Sequence, residues 1–180
     1  MENHQQTISG QNNKILWMHT DYAKFSKESK YDRKYNNKFD EIVTVSESAR
    51  KSFINYHPSK VACTHVIYNI IDDIEIKSLS NVTNEMKNNE FNIVSVGRLH
   101  YSKGFDIVIP ILKDLKEIGI PINWYIIGEG SERRKLEGLI HEYALTDCCF
   151  LLGEKENPYT YMKSADLYLQ PSRYEGYCIT

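Results

Sequence analysis

No apolar run among the 180 residues approaches the roughly 20 that cross a bilayer as a helix. The opening stretch, Met1 to Asn13, lacks the charged and apolar regions of a secretory leader. Both absences point to a cytosolic protein, with peripheral membrane contact left open. An excess of positive charge is missing too: Lys plus Arg total 22 against 24 Asp plus Glu, for a net charge of -2. No global basic field therefore attracts nucleic acid or an anionic membrane, and any phosphate contact must be local. Cysteine is sparse, and Cys63, Cys148, Cys149 and Cys178 form no C-x-x-C pair. Adjacent Cys148 and Cys149 are poorly placed to bridge each other or to chelate a metal, so reduced thiols and no metal centre are expected. What is present is core-forming material, 41% hydrophobic and 12% aromatic, enough for one domain or two partial ones.

Apolar runs set the elements. Lys14 to Met18 predicts a strand that delivers His19 and Asp21 at its carboxyl end, and Ile42 to Val45 predicts a buried strand. Ser46 then sits at a helix N-cap, and His57-Pro58 ends that helix. Val61 to Ile67 reads as a strand. The polar, asparagine-rich residues 74–90 read as a linker between a domain of residues 1–73 and a domain of residues 91–180. Beyond it the pattern is regular. Strands are expected at Phe91 to Val96, Ile122 to Ile127, Cys149 to Leu152 and Asp166 to Gln170. Between them, Phe105, Val108, Ile111, Leu112, Leu115 and Ile118 form one helical apolar face, and Leu136, Leu139, Ile140 and Tyr143 another, capped by Ser131. Asn157-Pro158 marks the start of a short third helix. Strands alternating with helices at this spacing predict an α/β fold of parallel βαβ units, a Rossmann-like sheet.

Two stretches carry chemistry. Gly97 to Gly104 joins a strand to a helix, places Arg98 and Lys103 five residues apart, and has glycines at both ends that allow close backbone approach. That arrangement suits a diphosphate: Arg98 grips two oxygens, Lys103 acts as a point charge, and the helix start adds partial positive charge. Two solvated surface cations are the competing reading. Gln170 to Cys178 reads as a strand ending in a loop that offers the Glu175 carboxylate and a backbone freed by Gly176, continuing through Tyr177 and Cys178, with a solvated loop charge as the competing reading of Glu175. Because Thr180 closes the chain two residues later, the expectation is of a site cut short.

Gly128-Glu129-Gly130 invites a dinucleotide reading, but Arg133 stands where G-x-G-x-x-G needs its third glycine, which argues against a nicotinamide enzyme. A tight turn whose Gly128 and Glu129 backbone lines a cleft remains. His19 is either a hydrogen-bond donor to an anion or sugar hydroxyl, or a surface histidine. Tyr159, Tyr161, Tyr168 and Tyr177 are either stacking partners for a base or core residues with a wet hydroxyl.

The order V-G-R-L-x-x-x-K-G-F-D, I-I-G-E-G, L-G and N-P-Y-x-Y-M-K-S-A-D-L-Y-L-Q-P-S-R-Y-E-G-Y resembles the carboxyl-terminal domain of the retaining glycosyltransferases of family 4, which have the GT-B fold. Upstream, W-M-H-T-D, F-D-E-I-V-T-V-S-E and V-I-Y-N-I-I-D resemble the last part of that family's amino-terminal, acceptor-side domain and its interdomain link. The resemblance implies transfer of a sugar from a nucleotide diphosphate sugar, UDP by default, to a hydroxyl of a saccharide or lipid-linked saccharide, with retention and no metal, in bacterial cell-surface polysaccharide synthesis. It implies that Arg98 and Lys103 hold the diphosphate, that His19 reaches the donor, and that Glu175 faces the donor sugar, assisted by backbone amides of Gly176 to Cys178. The second glutamate of the family's E-x7-E motif falls beyond Thr180, so the chain resembles a middle segment, inactive alone. A noncatalytic nucleotide-binding subunit completing a partner's cleft, an inactive remnant of such an enzyme, and a GT-B phosphorylase or epimerase are the rival readings.

Overall fold

The structure is a computed structural model that describes residues 9–10, 13–19, 21–23, 38–86, 90–175, 178 and 180. The chain divides into two units, one of residues 1–71 with 174–179 and the other of residues 72–173 with 180.

In the first unit the strands are β1 (Ser9–Gly10), β2 (Asn13–Met18), β3 (Glu41–Thr44) and β4 (Thr64–Val66), in the sheet order β1-β2-β3-β4. β2, β3 and β4 are parallel, with Leu16 opposite Ile42 and Val43 opposite His65, while β1 runs antiparallel. Helix α1 (Glu47–Tyr56) begins as expected at Ser46, whose hydroxyl accepts from the Ala49 amide at 3.1 Å. It buries Ala49 and Phe53, and Phe53 joins Leu16, Tyr22 and Ile42 in a small core. The strand expected from Val61 is shorter than its apolar content suggests. Pro58 opens a 3-10 helix over Pro58–Cys63, and the Thr64 hydroxyl donates back to the Lys60 carbonyl at 2.7 Å, which delays strand pairing to Thr64.

The second unit opens with α2 (Asp73–Leu79), capped by Asp72, which overlaps the residues 74–90 expected to form a linker. It continues with β5 (Phe91–Val96), α3 (Phe105–Glu117), β6 (Ile122–Ile127), α4 (Arg133–Glu142), β7 (Cys149–Gly153), α5 (Tyr159–Ser164) and β8 (Leu167–Tyr168). The sheet is fully parallel in the order β7-β6-β5-β8, the α/β arrangement predicted. One face packs Ile93 and Trp124 against Phe105, Ile109 and Leu112 of α3 and Leu136 and Ile140 of α4. The other packs Val94, Tyr125 and Ile127 against Tyr161 of α5 and Met86.

Several local expectations shift. On α3 the buried stripe is Phe105, Ile109 and Leu112, whereas Ile111 is 51% exposed and Ile118, just past the helix end, is 71% exposed. The helix is apolar on more than one side, so composition alone does not select the inward face. Glu132, not Ser131, precedes α4, and Pro158 precedes α5, with Asn157 accepting from the Tyr159 amide at 3.2 Å. The last strand has only two paired residues, though the Leu169 amide still reaches the Val94 carbonyl at 2.8 Å. All four cysteines carry free thiols. Among the described residues no helix is long and apolar enough to cross a membrane, and no cluster of three or more His, Cys, Asp or Glu forms a metal site.

Candidate functional site

Parallel strands release their loops at one end of a sheet, so the turns after β5, β6 and β7 emerge together. Here they are fastened by main-chain contacts. The Gly97 amide donates to the Ile127 carbonyl at 2.9 Å and Gly128 to the Gly153 carbonyl at 2.8 Å. The fully buried Leu99 donates its amide to the Glu129 carbonyl and accepts from the Glu132 amide, both at 2.9 Å. Such proximity requires glycine. A Cβ on Gly128 would lie 2.1 Å from the Gly97 carbonyl oxygen, and one on Gly130 would lie 2.3 Å from that of Leu99.

On this floor stands the cationic loop. Arg98 is exposed, and its guanidinium makes no hydrogen bond or ion pair with the described residues. Residues Tyr101–Lys103 form one 3-10 turn capped by His100, whose Nδ1 accepts from the Ser102 amide at 3.2 Å. Lys103 closes the turn and lays its stem over Gly97, with Cδ and Cε 3.6 and 3.5 Å from where a Gly97 Cβ would sit. Gly104 follows in the left-handed region, at φ 70°, and starts α3. The structure thus brings Gly97, Arg98, Lys103, Gly128 and Glu129 into one region. The Glu129 carboxylate is bound by Arg133, which also donates to Glu137 at 2.9 Å and to the Leu151 carbonyl at 3.3 Å. What Glu129 presents to the floor is therefore its backbone.

His19, Glu175 and Cys178 belong to the other unit. His19 is exposed at the end of β2 and stacks on Trp17, the ring centroids 6.4 Å apart and nearly parallel. Its neighbour Asp21 is a turn-holder that accepts from the Ser52 hydroxyl at 2.5 Å and the Ala23 amide at 2.9 Å. Glu175 and Cys178 are half-buried, and Gly176 and Tyr177 lie outside the described residues, as does Thr20. Two of the four tyrosines offered for base stacking are structural. Tyr161 is buried and donates to Glu85 at 2.9 Å, and Tyr168 donates to Gln170 at 2.7 Å.

One group that the sequence reading left without a role is Arg173. It donates to both oxygens of Asp106, at 2.7 and 3.0 Å, and to the Tyr101 carbonyl at 2.7 Å. Asp106 and Arg173 both fall within quoted motifs, K-G-F-D and P-S-R-Y-E-G, but 67 residues apart, and no local pattern pairs residues at that distance. The Arg173 bond holds the Asp106 carboxyl below its ordinary range and raises the guanidinium in turn.

Comparison with known proteins bears on the family and the fold. The chain is 27% identical to an uncharacterized glycosyltransferase of Methanocaldococcus jannaschii, across 94% of this chain and 45% of that one. It is 32% identical to the O-antigen biosynthesis glycosyltransferase WclY of Escherichia coli, across 79% of this chain and 39% of that one. It therefore spans less than half the length of these relatives. Among solved structures, S. aureus TarM with fondaparinux, alpha-GlcNAc-glycerol and UDP matches 93% of this chain and 34% of its own, at 20% identity and a TM-score of 0.72. Anabaena HepE in complex with UDP matches 88% and 46%, at 18% identity and a TM-score of 0.64. The fold is accordingly that of the GT-B glycosyltransferases. Residues 79–180, more than half of the chain, match the family model of the glycosyl transferases group 1, and the chain belongs to that family.

Proposed function

We propose that this chain supplies donor-binding machinery to a retaining family 4 glycosyltransferase that moves a sugar from a nucleotide diphosphate sugar to a hydroxyl acceptor. The observation that carries this reading is the glycine-built floor of strand-end turns bearing Arg98 and Lys103, in a chain of the glycosyl transferases group 1. UDP is the favoured nucleotide, since HepE structures hold UDP or UDP-glucose. A lipid-linked saccharide acceptor and peripheral contact with the inner membrane face are supported by the Campylobacter jejuni N-acetylgalactosaminyltransferase, which acts on a diphospho-undecaprenol saccharide and is 33% identical over 68% of this chain. Cell-surface polysaccharide synthesis is supported by the O-antigen relative. In this reading residues 91–180 form the donor side and residues 1–73 the acceptor side.

In the reaction the acceptor oxygen bonds to the anomeric carbon on the face from which the diphosphate leaves. The carbon–oxygen bond to that phosphate breaks and its electron pair stays on the phosphate oxygen, which takes the acceptor proton. Negative charge grows on the leaving group, so Arg98, Lys103 and main-chain amides stabilise the transition state more than the ground state. Glu175 and His19 bind sugar hydroxyls, and amides of Gly176 to Cys178 add donors. No step requires a metal.

Arg98→Ala should weaken UDP binding by about tenfold to a hundredfold, the worth of a charge-assisted phosphate contact. Calorimetry with UDP is the test, and unchanged affinity returns Arg98 to the solvated surface. In the intact protein, Glu175→Gln should spare UDP affinity while lowering sugar transfer. Equal loss of both would misplace Glu175. Tight UDP binding without release of UDP from any sugar donor would assign a noncatalytic nucleotide-binding module instead.

A further inference from the structure

We propose that Arg173 is a positioning residue that fixes the Lys103 turn and the segment leading to Glu175 in one geometry, with Asp106 as its anchor. The proposal rests on the donor-site reading above and adds to it a residue that touches no donor atom.

The contacts around Arg173 converge from both of its ends. Its guanidinium binds the Asp106 carboxylate through both oxygens and the Tyr101 carbonyl through Nη1, and its carbon lies 4.1 Å from the Tyr101 ring centroid. Its own amide donates to the Ser102 carbonyl at 2.8 Å. Two residues earlier, the Pro171 carbonyl oxygen stands 2.3 Å from where a Cβ on Gly104 would be. Pro171 and Arg173 therefore meet the turn at Tyr101, Ser102 and Gly104. Asp106, in the first turn of α3, is also approached by Lys135 at 3.3 Å, so the anchor is itself held.

Exposed ion pairs usually contribute little, because two long side chains must be ordered in water. This pair differs on both counts. The Arg173 and Asp106 side chains are only 22% and 19% exposed, and the fork is bidentate, stacked and tied to two carbonyls through its side chain and amide. A lysine carries one point charge and cannot make those contacts together. The clamp spans the two chain segments that the donor reading needs, one carrying Lys103 and the other continuing within two residues to Glu175. Beside it, the Arg173 amide bond to the Ser102 carbonyl and the approach of Pro171 to Gly104 join the same two segments through main chain.

Two measurements on the same variants separate the clamp from the donor reading. In ligand-free protein, Arg173→Lys and Asp106→Asn should each speed hydrogen exchange of the Lys103, Gly104 and Arg173 amides by about tenfold or more, with the 124–127 amides unchanged. Unchanged exchange at those three amides overturns the proposal whatever binds. In UDP titrations, Lys103→Ala should cost about tenfold in wild type and under threefold in the Arg173→Lys background, because a misplaced turn has already lost the lysine contact. Arg98→Ala should cost the same in both. Full additivity of Lys103→Ala and Arg173→Lys reduces Arg173 to a stabilising contact and overturns the proposal. Accelerated exchange in protein that binds no UDP keeps the clamp but removes the donor reading and the positioning role with it.

Discussion

At the residue scale, the glycines separate two meanings of one amino acid. Gly130→Ala forces a Cβ to within 2.3 Å of the Leu99 carbonyl oxygen and 2.8 Å of its carbon. The backbone must shift, and a stability loss of about 1–3 kcal/mol is expected by urea unfolding. Gly138, inside α4, has nothing within 4 Å of its Cβ position. There the same substitution removes the flexibility cost of a helical glycine and should stabilise by about 0.5–1 kcal/mol. A midpoint that does not fall in Gly130→Ala would make the packing account of Gly130 wrong, and one that does not rise in Gly138→Ala would do the same for the flexibility account of Gly138. Gly97, Arg98, Lys103, Gly128 and Glu129, which the fold brings into one region, were legible as candidates because each of the two turns carries its glycines and charges within a few residues of chain. Arg173 was not, because its partners are 67 and 72 residues away in the chain and meet only in the fold.

At the scale of elements, a single hydroxyl joins three strands of the parallel sheet. Fully buried Ser95 of β5 accepts from the Trp124 indole of β6 at 2.9 Å and donates to the Leu169 carbonyl beside β8 at 2.6 Å. Ser95→Ala leaves an indole N–H unpartnered in the core and removes a bond from a carbonyl, so a loss of about 2–4 kcal/mol is expected. A loss under about 1 kcal/mol would mean that these groups find other partners. In the sequence Ser95 is only a small polar residue in an apolar run, and nothing local signals its role. The reverse held on α3, where Ile111 satisfies helical periodicity yet is exposed. Both cases have one cause: a strand or helix pattern records which residues are apolar, but neighbouring elements decide which of them are covered.

For the whole molecule, the boundary and the response to pH follow from where groups are tied down. Asn84 donates to the Thr160 carbonyl and to Ser164, Lys155 binds Glu85, and Asn157 donates to the Leu79 carbonyl. Residues 79–86 thus belong with the second unit, while Tyr68 and Ile70 are 54% and 96% exposed. Brief chymotrypsin treatment should yield a carboxyl-terminal fragment that begins before Asp72. A fragment beginning after Met86 would place the boundary at the end of the asparagine-rich segment. The Asp106 carboxyl is lowered by Arg173, so its contribution to stability is present above about pH 4 and lost as pH falls through its depressed folded value. Burial raises the Cys149 thiol, so its contribution is present below about pH 8.5 and fades above it. Urea midpoints across pH 3–10 should fall at both ends. Asp106→Asn should flatten the acid limb and Cys149→Ala the alkaline one, and limbs unchanged in both variants would assign the slopes to other groups.

The chain by itself determined the alternation of strands and helices, the α/β class, the cationic loop and the glycine turns. Each of these is written in short runs of side-chain size, polarity and backbone freedom. Tertiary structure alone decided which face of α3 is buried, that Pro58–Cys63 coils before β4 pairs, that residues 79–86 are fastened to α5 and the turn before it, and that Arg173 meets Asp106 and Tyr101. Those outcomes depend on free energies between groups distant in sequence, and such free energies exist only once the strands have brought the groups together.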